Sequence, residues 1–164
     1  MNSSSLAAAA LTRSTRPRIT RIFTDFVVAP WPIFNFQYYS MALLREEDTY
    51  KIIGMCMEVY NELGYGFSEI IYKDALEIEA ELNGILVQRE KPYQVYYKTR
   101  SLKRKYNADF VMFGDIIVEI KAAGNGLCED NYRQTVNYMR ASGCKLALLV
   151  NFGKKGLQHK RFVL

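Results

Sequence analysis

The chain has 164 residues, 49% of them hydrophobic and 24% charged, with a net charge of +5. This suits one globular domain with a sizeable core, and no apolar run reaches the roughly 18 to 20 residues that a membrane span needs. The basic excess fits a polyanionic partner but is uneven: residues 1–40 hold four Arg and one Asp, while the remainder, with 18 basic and 16 acidic side chains, is nearly balanced.

Residues 1–40 are rich in Ser, Thr, Ala and Arg, then aromatic and broken by Pro30 and Pro32. They lack the ordered basic, apolar and cleavage segments of a signal peptide, although the acid-poor start has the character of a transit peptide. The functional domain is expected over residues 41–164, with 1–40 a disordered extension or a mis-assigned start. Cys56, Cys128 and Cys144 form no C-x-x-C pair and suit small buried roles in a reducing cytoplasm. His159 is the only histidine, which argues against a His-based zinc site and a Ser-His-Asp triad.

Helical spacing of Ile52, Cys56, Val59, Tyr60 and Leu63 predicts a helix over 44–63, ended by Gly64. After the Gly64-Tyr65-Gly66 loop, Ser68 is a good N-cap for a second helix running to Asn83-Gly84, with Ile71, Ala75, Ile78 and Leu82 as its buried stripe. Glu69 lies in its first turn, where a carboxylate complements the helix dipole, and shares a face with Tyr72. Residues 85–98 read as one or two strands, and Pro92 argues against a central position. Lys98, Arg100, Lys103, Arg104 and Lys105 then place five cations in eight residues, either a solvated hairpin tip or a loop contacting phosphates.

A strand over 106–113 carries Asp109, Gly114-Asp115 turns it back, and Ile116-Ile117-Val118-Glu119-Ile120-Lys121 follows. Residues 127–142 read as a helix closed by Gly143, with Gln134 and Tyr138 one turn apart. A strongly apolar strand over 145–152 and a short closing one over 161–164 complete an α+β sandwich. Its expected order is ααβββαβ, with a central mixed sheet flanked by helices and the site at one end of the sheet.

Within 116–121, Glu119 and Lys121 leave the strand on the same face. Buried charge is costly unless paired or metal-bound, so the two form either an internal ion pair or part of an active site. Register supplies a constraint. A strict two-residue turn at Gly114-Asp115 would put Asp109 and Glu119 on opposite faces, so a shared site requires a three-residue loop over 113–115 or a β-bulge.

The set Asp109, Glu119-x-Lys121 resembles the PD-(D/E)XK nuclease superfamily, and Gly66-x-x-Glu69-x-x-Tyr72 resembles the small bacterial family of GxxExxY proteins. Gln134-x-x-x-Tyr138 is similar to the fourth motif of RecB-type members; Tyr65 and Asn131 depart from the pattern, which has Pro and often His there. The resemblance implies a hydrolase of nucleic acid, DNA favoured, using Mg²⁺ or Mn²⁺. It implies Asp109, Glu119, Glu69 and the Ile120 carbonyl as metal ligands and Lys121 and Gln134 as further catalytic groups. Tyr72, Tyr138, Arg100, Lys103, Arg104 and Lys105 would contact substrate. A non-catalytic nucleic-acid or protein-binding module with the same fold, and a regulatory protein with the acids as a structural ion-pair cluster, stay open.

Overall fold

The structure, a computed structural model, describes residues 45–164; the expectations for residues 1–40 lie outside them. Helices α1 (Glu46–Leu63) and α2 (Glu69–Leu82) come first, then strands β1 (Val87–Tyr97), β2 (Arg100–Met112) and β3 (Ile116–Lys121). Helix α3 (Glu129–Ser142) leads to β4 (Leu146–Gly153) and β5 (Gly156–Val163). The sheet order is β1-β2-β3-β4-β5, with β3 and β4 parallel and the other pairs antiparallel. The α+β class holds, with the order ααβββαββ. The closing strand is longer than expected because β5 pairs with β4 along its whole length, from Leu146↔Val163 to Gly153↔Gly156.

Alternation along the central strands sends side chains to two apolar layers. Ile116, Val118 and Ile120 of β3, with Leu148, Val150 and Phe152 of β4, pack on Ile52, Cys56, Val59, Tyr72 and Leu76 of α1 and α2. On the other face Ile117, Ala147 and Leu149 meet Tyr138 and Met139 of α3. Among the described residues no helix is long and apolar enough to cross a membrane.

The α2 stripe is a correction. Tyr72, Leu76 and Ala80 are the buried positions, whereas Ile71, Ile78 and Leu82 are exposed and Ala75 is only partly buried. The sequence offers apolar residues around most of α2, and tertiary packing selects a stripe offset by one position. Lys73 is buried at its flank. A second correction concerns Cys128, which is exposed at the N-cap of α3 rather than buried. Asn131 there accepts from the Cys128 N–H at 3.0 Å, so it caps the helix.

β1 is one strand at the sheet edge, where Pro92 costs no ladder bond to a second neighbour. The hairpin tip is only Lys98-Thr99, so Arg100, Lys103, Arg104 and Lys105 belong to β2 itself rather than to a loop.

Candidate active site at a splayed strand end

β2 and β3 are joined by the three-residue loop that a shared site requires. Met112 pairs with Ile116, Val111 with Ile117 and Phe110 with Val118, leaving Phe113, Gly114 and Asp115 as the loop. Phe113 and Gly114 take positive φ values of 52° and 89°, a backbone that glycine adopts freely and phenylalanine only with strain. Continuing this register brings Asp109 opposite Glu119.

The ladder stops there. Ala108 packs on the α3 side, yet Phe110, two residues on, packs on the α1/α2 side, so β2 turns over at Asp109. Opposite it on β1, Glu90 has φ 49° and interrupts the pairing between Arg89↔Phe110 and Lys91↔Ala108. The Ile120 N–H therefore loses a strand carbonyl, and Asp109 Oδ2 accepts it at 2.8 Å. The splay positions the carboxylate, and the carboxylate satisfies the backbone donor that the splay orphans.

Glu119 is 1% exposed. Its Oε1 accepts from Lys121 Nζ at 2.9 Å, while its Oε2 is buried with no partner. Burial, then the charge of Asp109, pushes the Glu119 carboxyl up to about 7, against the pull of Lys121. Burial draws the Lys121 ammonium down, but the charges of Glu119, Glu69 and Asp109 outweigh it and leave it above its usual range. The ion pair allowed for in the sequence is present, and it leaves one buried carboxylate oxygen unanswered.

Sequence reasoning missed Lys73. Its Nζ binds Asp109 Oδ1 and lies 3.2 Å from Glu90 Oε1 and 3.5 Å from Glu69 Oε1. Burial lowers its pKa, yet Asp109 and Glu90 raise it further, so the ammonium stays charged. The available signal was its position four residues after Glu69, one helical turn on, at the edge of the Tyr72-Leu76-Ala80 stripe. Asn151 was likewise missed: fully buried, it accepts from Ala123 N–H at 2.7 Å and donates to the Ala123 carbonyl at 3.0 Å, fixing the chain as it leaves β3.

Gln134 and Tyr138 meet as expected, Nε2 donating to the phenolic oxygen at 2.8 Å. Burial and then the Glu119 charge raise the Tyr138 pKa, which puts this pair within reach of the carboxylate's field. Tyr72 is corrected. It is fully buried, stacks on Phe152 at 4.2 Å, donates to the Gly64 carbonyl at 2.8 Å and accepts from Phe67 N–H at 3.3 Å. It ties the α1–α2 loop to the core, and its hydroxyl is not available to a substrate.

Glu69, Glu90, Asp109 and Glu119 against Lys73 and Lys121 leave two negative charges in excess when all are ionised. Among the described residues no three His, Cys, Asp or Glu side chains form a ready-made cation cage, and each lysine occupies one carboxylate oxygen, Lys73 that of Asp109 Oδ1 and Lys121 that of Glu119 Oε1. The hard oxygen donors, the orphaned Oε2 and the charge excess fit a divalent cation. Two concavities, one lined by Arg45, Asp115 and Arg161 and one by Lys51, Glu58 and Glu79, include none of these carboxylates.

The crystal structure of SSO0001 is similar over 58% of this chain and 50% of its own, at 19% identity and TM-score 0.47. The crystal structure of an alkaline exonuclease (LHK-Exo) from Laribacter hongkongensis is similar over 66% of each chain, at 12% identity and TM-score 0.41. The chain thus spans half the length of the first and just under two thirds of the second. No curated protein matches it. The PD-(D/E)XK nuclease superfamily matches residues 46–162, a span that takes in both splayed strands and the helix bearing Glu69, and the chain belongs to that superfamily.

Proposed function

We propose that this member of a nuclease superfamily hydrolyses phosphodiester bonds of nucleic acid, DNA favoured, with a divalent cation, Mg²⁺ or Mn²⁺. The observation that carries the reading is the buried, partnerless Oε2 of Glu119 beside Asp109 in a cluster with excess negative charge. A fold that needed only an ion pair would not leave such an atom, because an unsatisfied buried polar group costs about 1 to 3 kcal/mol.

Asp109 and Glu119 would hold the cation, with Glu69 and the Ile120 carbonyl completing an oxygen shell. A divalent cation held there would supply Lewis-acid polarisation of the phosphate and activation of the attacking water. Lys121 is kept cationic by three carboxylates and stabilises the negative charge that grows on the phosphate oxygens. Gln134, steadied by Tyr138, positions water or a phosphate oxygen. Arg100, Lys103, Arg104 and Lys105 meet the backbone phosphates.

The binding-module reading has one observation in its favour, Lys73 seated on Asp109 Oδ1 where a cation ligand is wanted. The deciding experiment is cleavage of single-stranded, double-stranded and flapped DNA and of RNA with Mg²⁺, Mn²⁺ or EDTA. It is run beside Glu119→Gln and Lys121→Ala proteins shown to be folded. Metal-dependent cutting lost in both variants is the expected result; no cutting by wild type, or equal cutting by the variants, would sink the hydrolase.

A further inference from the structure

β2 has β3 as a neighbour only over Phe110–Met112. From Asn107 back to Arg100 every β2 residue is exposed, and β1 is the only strand paired with it among the described residues, so the two strands continue past the sheet as a ribbon. A free two-stranded ribbon is marginal in water, and cross-strand rings can steady it only by packing on one another. Yet Tyr96 and Tyr97 are 64% and 65% exposed and Leu102 and Tyr106 are 45% and 37% exposed.

Residues 91–108 contain four tyrosines and six cations and no acid. Lys98 Nζ lies 5.6 Å from the Tyr97 ring centroid and Lys91 Nζ lies 5.5 Å from that of Tyr93. At its base the ribbon meets the site: the Tyr106 ring stands edge-on to Tyr138 at 5.3 Å, and Ala108 leads directly into Asp109.

Cations alone would serve duplex and single strand alike, since both present phosphates. Exposed rings beside them discriminate, because only unpaired bases offer a π-face for stacking. We propose that the β1–β2 ribbon is a binding arm for single-stranded nucleic acid, Tyr96 and Tyr97 stacking on bases while Arg100, Lys103, Arg104 and Lys105 track the phosphates. This deepens the hydrolase reading and rests on it for what happens to the strand at Asp109 and Glu119.

The test is fluorescence anisotropy of the full chain in EDTA with a labelled 20-nucleotide dT, the matching rU and a 20-base-pair duplex. Wild type is expected to bind a single strand more tightly than the duplex. The double variant Tyr96→Ala/Tyr97→Ala should lose tenfold or more for the single strand, with an unchanged circular-dichroism melting curve. Lys103→Gln/Arg104→Gln should lower the slope of log affinity against log salt by about 0.7 for each phosphate no longer neutralised. Tighter binding of dT or of rU, whichever is found, names the strand and supports the arm.

Equal or better binding of duplex, or a tyrosine variant that binds like wild type, overturns it. So does sedimentation showing that these tyrosines hold two copies of the chain together. Cleavage by the same protein separates the two readings: wild type that binds single strands but cuts nothing overturns the hydrolase and leaves the arm standing.

Discussion

Glu119→Gln in metal-free protein separates a structural ion pair from a site held under electrostatic load. The Glu119 carboxyl titrates near 7 in the fold against its ordinary 4.5, so the folded state holds this proton more tightly than the unfolded chain. A raised carboxylate pKa contributes stability that is fully present below pH 4.5 and is lost as the pH rises through about 7. At 1.36 kcal/mol per pKa unit, the amount at stake is on the order of 3 kcal/mol. Glutamine removes the charge and keeps an oxygen for Lys121, whose ammonium also feels Glu69 and Asp109, so the lysine is not orphaned.

In EDTA, urea unfolding followed by circular dichroism should show wild type losing stability between pH 4.5 and 7. Glu119→Gln should lack that slope and be the more stable protein at pH 8. Saturating Mg²⁺ or Mn²⁺ should stabilise wild type and not the variant. A variant destabilised by 1 kcal/mol or more at pH 8 would show the pair with Lys121 to be a net stabiliser and would refute the reasoning.

Lys73→Met removes the cation that three carboxylates share, and losing one partner of a buried pair costs about 3 to 5 kcal/mol. Metal-free stability should fall toward that amount while Mn²⁺ affinity, read by titration with electron paramagnetic resonance, rises because Asp109 Oδ1 is released. Asn151→Ala breaks the two bonds to Ala123 and one of 3.1 Å to Gln158. It should cost about 1 to 3 kcal/mol in urea unfolding and speed amide exchange at Ala123.

The periodic parts of the fold were legible because one answer satisfied them. Ile52, Cys56 and Val59 have a single apolar face to bury, and β3 and β4 are too apolar to lie anywhere but in the middle of a sheet. Register was legible for a different reason: two acids ten residues apart that must share a face exclude a two-residue turn and require an odd loop or a bulge. Helix α2 was not, since Ile71, Ile78 and Leu82 compete with Tyr72, Leu76 and Ala80, and only packing against Phe110 and Phe152 decides between the stripes. The misplaced stripe hid Lys73.

The same geometry explains why the site sits at this end of the sheet. Inside a ladder every amide is matched by a strand carbonyl, and no side-chain acceptor is needed. Where β2 turns over at Asp109, the Ile120 N–H needs an acceptor from a side chain, and aspartate supplies one while bringing a negative charge to within interaction range of Glu119. The ladder is thereby exchanged for two buried acids, and the two lysines neutralise only half of the four carboxylates gathered there. The four carboxylates outnumber the two lysines at this strand end, and the unpartnered Glu119 oxygen is where the proposed divalent cation would bind.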